Sequence, residues 1–261
     1  MLRSSGRRIS DTNATITDSG RLRSRLNSLV KTKAKDRFRA ASPRALWRAL
    51  SSIWGGGTSP GGTGSGAGSE RSADFYDRRF ATKGRWRDHY TQSRYYPVWT
   101  VVSDRLKRSG ARRVVDIGCG PGQLACLLRD QGISDYVGLD FSPLRLEHAR
   151  KVCPEFTFQL TDIFQSDFLA THDYDAVLAL EFLEHVDRDL DALAAIKPGT
   201  FVIATVPNFP DEGHVRHFDS AEEVRRRYEG VIDGLTVDAI LGNSKGKTFF
   251  LLEGRRNPFP A

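Results

Sequence analysis

The sequence predicts an α/β fold built on a largely parallel sheet, and three observations carry that prediction. Short apolar runs alternate with helical stretches from about residue 112 onward, the pattern of successive βα units. One of those runs, at 114–117, ends in a glycine cluster and leads straight into a helix, in VVDIGCGPGQLACLLRDQ. Another, FVIATVPN at 201–208, is apolar at nearly every position, as a strand covered on both faces must be.

The elements follow in order. The first strand is expected over 112–118. The turn after it alternates Gly118, Gly120 and Gly122 with Cys119 and Pro121, because a ligand lying across such a turn approaches the backbone where a Cβ would clash. A helix over 122–131 then presents Leu124, Cys126, Leu127 and Leu128. The run YVGLDFS supplies a second strand, 135–140, ending on Asp140. That acid lies 22 residues past Gly118, close to the spacing of about 20 at which an acidic side chain meets ribose hydroxyls. A helix over 143–152 leads to a third strand, 156–161, closed by Asp162, and YDAVLALEFLEH contains a fourth, 175–180. The helix expected over 187–196 stops before Lys197-Pro198-Gly199. After the fifth strand, 200–206, come a loop (GHVRHF), a polar helix (SAEEVRRRYEG) and two strands, LTVDAIL and KTFFLLEGR, with Gly242, Asn243 and Gly246 suited to the turn between them. Upstream, Tyr96, Val98, Val101, Val102 and Leu106 make the apolar face of a helix.

Charge divides the chain. Residues 1–72 hold 14 Lys/Arg against 4 Asp/Glu; residues 73–261 hold 25 against 28. The net charge of +7 therefore belongs to the N-terminal part, and the remainder is mildly acidic, which argues against a broad nucleic-acid groove there. Residues 1–54 read as a disordered basic arm with two weak amphipathic stretches (Leu22, Leu26, Leu29, Val30; Leu46, Trp47, Leu50, Ile53, Trp54), suited to an anionic membrane surface or nucleic acid. Residues 55–72 form a Gly/Ser-rich linker, leaving 73–261 as the folded domain. Three cysteines without metal-ligand spacing, Cys119, Cys126 and Cys153, fit a reducing, cytoplasmic setting. No segment is long and apolar enough to be read as a transmembrane span.

Asp116, the GxGxG turn 118–122, Asp140, Asp162 and the EFLEH that closes the fourth strand together resemble the class I S-adenosylmethionine (SAM) methyltransferases over roughly 111–256. The GxGxG spacing departs from the GxGxxG of dinucleotide dehydrogenases. The resemblance implies a Rossmann-like methyltransferase fold: a seven-stranded, mostly parallel sheet with an antiparallel last strand and helices on both faces. It implies SAM as cofactor and a binding set of Asp116, Gly118, Cys119, Gly120, Asp140, Phe141, Asp162, Ile163 and Glu181. Gly118–Gly120 would pack against the methionine part, Asp140 would take the ribose, Phe141 would flank the adenine, and Asp162 with Ile163 would meet its edge. Helices before the first strand would build the acceptor pocket, with Tyr76, Trp86, Tyr90, Tyr95 and Trp99 as candidates for its wall.

Methyl transfer from a sulfonium needs alignment more than acid–base chemistry, except where the acceptor is a hydroxyl. His185 is the candidate base, with His214 and His217 later on a loop. The expected acceptor is a small molecule methylated at oxygen, with no metal required. The ExxEH group also resembles part of the metal site of methyltransferases that modify the terminal 2′-hydroxyl of small RNAs. That alternative would make Glu181, Glu184, His185 and His217 a ligand set. A non-catalytic SAM-binding scaffold is the third reading.

Overall fold

The computed structural model describes residues 68–242 and 246–258. The basic arm, the linker up to residue 67 and Asn243 lie outside them. Residues 68–72 run along the domain: Glu70 accepts a hydrogen bond from the Asp187 amide (3.0 Å) and Arg71 donates to the Glu212 carbonyl (3.2 Å).

Two helices precede the sheet, α1 (Ala73–Thr82) and α2 (Tyr96–Ser109), with two short 3-10 turns between them. Alternating units follow: β1 (Arg113–Ile117), α3 (Gln123–Asp130), β2 (Asp135–Asp140), α4 (Pro143–Val152), β3 (Thr157–Leu160), α5 (Phe168–Thr171), β4 (Ala176–Leu180), α6 (Asp189–Ala194), β5 (Phe201–Pro207), α7 (Ala221–Tyr228), β6 (Ile232–Leu241) and β7 (Thr248–Arg256). Every strand and helix expected from 112 onward is present, with ends moved by a few residues. α1 was not foreseen, because its DFYDRRFAT carries too few apolar residues for a visible helical period; only Tyr76 and Phe80 are buried.

The sheet runs β3-β2-β1-β4-β5-β7-β6, with β7 antiparallel between β5 and β6. Its strands bury side chains alternately on two faces, because successive residues of a strand point opposite ways. Val114, Leu178 and Ile203 meet α2, α3 and α4 through Val102, Leu106, Leu128 and Leu146. Val115, Val177 and Val202 meet α5, α6 and α7 through Leu169, Leu193, Val224 and Tyr228. Among the described residues no helix is long and apolar enough to cross a membrane.

β1 pairs with β2 on one side and β4 on the other, so connections leave it in opposite directions. At this switch point the carboxyl ends of the strands open a crevice, the usual ligand position in an open α/β sheet.

Candidate active site

The crevice floor is the glycine turn. The amides of Gly118 and Cys119 both donate to the Leu139 carbonyl (2.8 and 3.1 Å), which locks the turn onto β2. Gly118 has φ 75°, and a Cβ there would stand 2.9 Å from Phe182 Cδ2, so the conformation and the close approach of that ring both require glycine. Cys119 turns its sulfur toward Gly138, where an added Cβ would come within 2.7 Å of it. Its contribution to the crevice is therefore backbone.

Asp140 is 4% exposed and braces the site. One carboxylate oxygen accepts from the Gly120 amide and the other from the Ser142 amide, both at 2.8 Å. Ser142 caps α4, accepting from the Arg145 amide, and donates to Asp77 of α1, whose carboxylate also accepts from the Leu144 amide (3.3 Å). With Ser142 as the cap of α4, the outer lone pairs of Asp140 are left for a ligand. Burial raises the pKa of Asp140, opposed by the Arg145 charge and the two amides. Asp116, 2% exposed, accepts from Tyr136 Oη (2.6 Å), and burial pushes its carboxyl up to about 7.

The far wall continues from β4. Glu181 has φ 51°, a strained backbone for a residue with a Cβ, held by its amide donating to Thr205 Oγ1 (2.9 Å), which donates back to the Glu181 carboxylate (3.2 Å). Burial raises its pKa. Phe141, Asp162 and Ile163 also line the crevice. Phe141 packs edge-on to Tyr76 (5.6 Å), and Asp162 is tied down by the Phe164 amide (2.9 Å) and Gln165 (2.7 Å). All nine residues expected around a cofactor thus border one crevice. Of the five aromatics expected in its wall, Tyr76, Trp86, Tyr95 and Trp99 are there. Tyr90 instead donates its hydroxyl to Asp130 (2.7 Å).

Beside Glu181 sits a second group. Glu184, His185 and His214 bring one ligand-capable atom each to within 4.8 Å of the others. Each histidine places Nδ1 against a backbone carbonyl, His185 on Gly213 (2.8 Å) and His214 on Phe209 (3.0 Å). A carbonyl only accepts, so both Nδ1 atoms carry the proton and both Nε2 atoms present a lone pair. Burial lowers both pKa values, that of His185 to about 4, where His214 adds to the effect. Glu184 is fully buried, and neither carboxylate oxygen has a hydrogen-bond partner; the nearest histidine nitrogen, His185 Nε2, is 3.9 Å away. Burial, then the Glu181 charge, raises its pKa well above the carboxylate range. Arg216 clasps this turn, donating to the carbonyls of Leu183, Val186 (2.5 Å) and Asp187 (3.1 Å). Of the metal alternative read from the sequence, Glu181 and His217 fall outside the cluster and His214 joins it. The carboxylate of Glu181 is engaged by Thr205, and the fold turns His214 rather than His217 back to His185.

Sequence reasoning did not find Arg79, Arg94, Arg145, Phe182 or Asp211, which also border the crevice. Only Phe182 stands in a motif, EFLEH; the five come from five separate segments joined by the fold.

A glycine turn and buried acids at the switch point of a 3-2-1-4-5-7-6 sheet define a Rossmann-like methyltransferase domain. Residues 114–229 match the family model of a methyltransferase domain. The chain is 37% identical over 140 residues to a ubiquinone biosynthesis O-methyltransferase of Vibrio cholerae, covering 48% of this chain and 56% of that one. It is 35% identical over 130 residues to the protein of that name from Xylella fastidiosa, covering 45% and 52%. It thus spans about half the length of the curated relatives it matches. Among solved structures it shares its fold with the N-methyltransferase NodS of Bradyrhizobium japonicum (TM-score 0.54, 18% identity, 70% of this chain and 97% of that one). The magnesium protoporphyrin IX methyltransferase of Synechocystis shares it too (TM-score 0.53, 19% identity, 71% and 97%).

Proposed function

We propose that this protein transfers the methyl group of SAM to a hydroxyl of a small aromatic acceptor. One observation carries the reading: the crevice gathers carboxylates at Asp116, Asp140 and Glu181, all three with pKa values raised by burial, around a glycine turn open to a ligand. SAM brings an ammonium, a sulfonium and a ribose diol to such a set, so the residues fit it. The relatives named as O-methyltransferases support oxygen as the acceptor atom, and the aromatic wall supports a ring beside it.

In this reading the glycine turn seats the methionine part, Asp140 orients the ribose, and Tyr76, Phe141 and Phe182 exclude water. SAM supplies an activated methyl, so the chain's task is alignment. The acceptor oxygen would take the methyl that SAM supplies, SAH would leave with the bonding pair on its sulfur, and His185 Nε2 would accept the hydroxyl proton. The three free cysteines support a reducing, cytoplasmic setting. The basic arm would add contact with an anionic surface.

The test is calorimetry of chelator-treated protein with S-adenosylhomocysteine (SAH), followed by labelled methyl transfer to a set of catechols. Micromolar SAH affinity and labelled product are expected. No SAH binding, with or without added Mn²⁺, refutes the assignment; binding without transfer to any hydroxyl favours a scaffold.

The orphaned carboxylate of Glu184 favours a second reading of the same site. A buried acid with no partner, facing two imidazole lone pairs, is the donor set of a divalent cation with positions left open. Such an ion would lower the pKa of an acceptor hydroxyl, and His185 would then serve as a ligand rather than a base. Mn²⁺ uptake followed by electron paramagnetic resonance should be lost in Glu184→Gln and in His214→Ala. Uptake retained in both refutes this reading.

A further inference from the structure

Four arginines border the crevice, and two are accounted for. Arg71 donates to the Glu212 carbonyl, and Arg79 pairs with Asp211 at 3.1 Å. Arg94 and Arg145 have no ion-pair partner among the described residues, and the Nε of each is sealed from solvent without an acceptor. Both guanidiniums instead stand over aromatic rings. Arg94 lies 4.7 Å over Tyr95 and donates to its hydroxyl (2.5 Å). Arg145 lies 4.6 Å over Tyr76 and 5.7 Å over Trp86. An unpaired guanidinium in a partly closed aromatic site is costly on its own, and it is a preorganised fork for a carboxylate.

The cofactor of the preceding section carries one carboxylate, so two free arginines are one too many for it. Arg94 acts on Glu181, at the end of β4 beside the seat given to the methionine part. Arg145 belongs to α4 and stands over Tyr76, whose ring meets both Phe141 (5.6 Å) and His185 (5.8 Å) edge-on, between the side given to the adenosine and the side given to the acceptor, and the Arg145 charge also reaches Asp140. We propose that the acceptor is a hydroxylated aromatic acid, its ring against Tyr76 and Trp86 and its carboxylate on Arg145, while Arg94 serves the carboxylate of the cofactor. This rests on the reading of the crevice as a SAM site.

The test uses the full chain saturated with SAH and titrated with a matched pair of probes, 3,4-dihydroxyphenylacetate and 4-ethylcatechol, which differ in the carboxylate. The acid should bind at least tenfold more tightly than the neutral catechol. Arg145→Leu should erase that preference while weakening SAH binding less than Arg94→Leu does, and Arg145→Lys should restore part of it. Arg94→Leu should weaken SAH binding at least tenfold. Equal affinity for the two probes, or binding of neither, overturns the inference. So does a loss of SAH affinity in Arg145→Leu as large as that in Arg94→Leu, which would give that arginine to the cofactor. A wild type that fails to bind SAH overturns the SAM reading itself, and this inference with it.

Discussion

Asp140 works before any ligand arrives, and Asp140→Asn isolates that work. Its two oxygens each accept one buried amide, from Gly120 and from Ser142, both at 2.8 Å. Asparagine has one acceptor and one donor group at the same places, so whichever way its amide turns, one backbone N–H faces another N–H. A hydrogen bond to a charged group contributes about 1.5–3 kcal/mol, and a buried donor left unpaired costs about 1–3 kcal/mol. The substitution should therefore destabilise the ligand-free protein by about 3–5 kcal/mol, a large part of the 5–15 kcal/mol typical of a domain. At about 2–4 °C per kcal/mol for a domain of this size, the melting temperature should fall by roughly 10 °C. Urea denaturation read by circular dichroism measures the first quantity and calorimetry the second, both without cofactor. A loss under about 0.5 kcal/mol would show that these two amides do not depend on the carboxylate, and the view of Asp140 as a brace between β1 and β2 would fall.

Two further outcomes follow from burial and close contact. Asp116 is raised to about 7 in the folded protein, so the folded state binds the proton more strongly than the unfolded chain; its contribution is full at low pH and is lost as pH rises from about 4 through 7. Asp116→Asn should accordingly flatten the decline of melting temperature over that window in ligand-free protein, and an unchanged slope would contradict the shift. In Gly138→Ala the new methyl would meet Cys119 Sγ at 2.7 Å and Phe158 Cδ1 at 2.8 Å, at an ordinary strand position. Overpacking of this kind should cost about 1–3 kcal/mol in urea denaturation, and a stability equal to wild type would show that the cysteine beneath the glycine turn moves freely aside.

The alternating units were legible because their signals are local. Strand runs, the stop at Lys197-Pro198-Gly199 and the glycine turn each show within about ten residues, and the strands formed within a few residues of the expected ends. Asp116, Asp140 and Glu181 were legible for the same reason, each lying at or just past a strand end. What stayed hidden depends on how loops fold back. His214 and His217 both lie on the same loop in the sequence; the Val215 amide donating to the Glu184 carbonyl (2.8 Å), with His185 Nδ1 on the Gly213 carbonyl (2.8 Å), draws His214 up to His185. Arg94 and Arg145 had no pattern at all, since an arginine beside aromatics reads as a surface residue until a crevice closes around it.

The placement of β7 has a consequence for the order in which the domain can be made. β6 is synthesised first, yet among the described residues its only sheet neighbour is β7, so within them it has nothing to pair with until residues 248–256 have left the ribosome. The same late strand packs behind the crevice wall: Thr248 donates its amide to Asn208 (2.7 Å), and Phe249 packs on Phe209 (5.7 Å) and on Tyr95 (5.5 Å), which lines the crevice. A nascent chain can therefore form β1 to β5 and the glycine turn while Tyr95 still lacks the packing behind it. That support arrives abruptly, with one nine-residue strand.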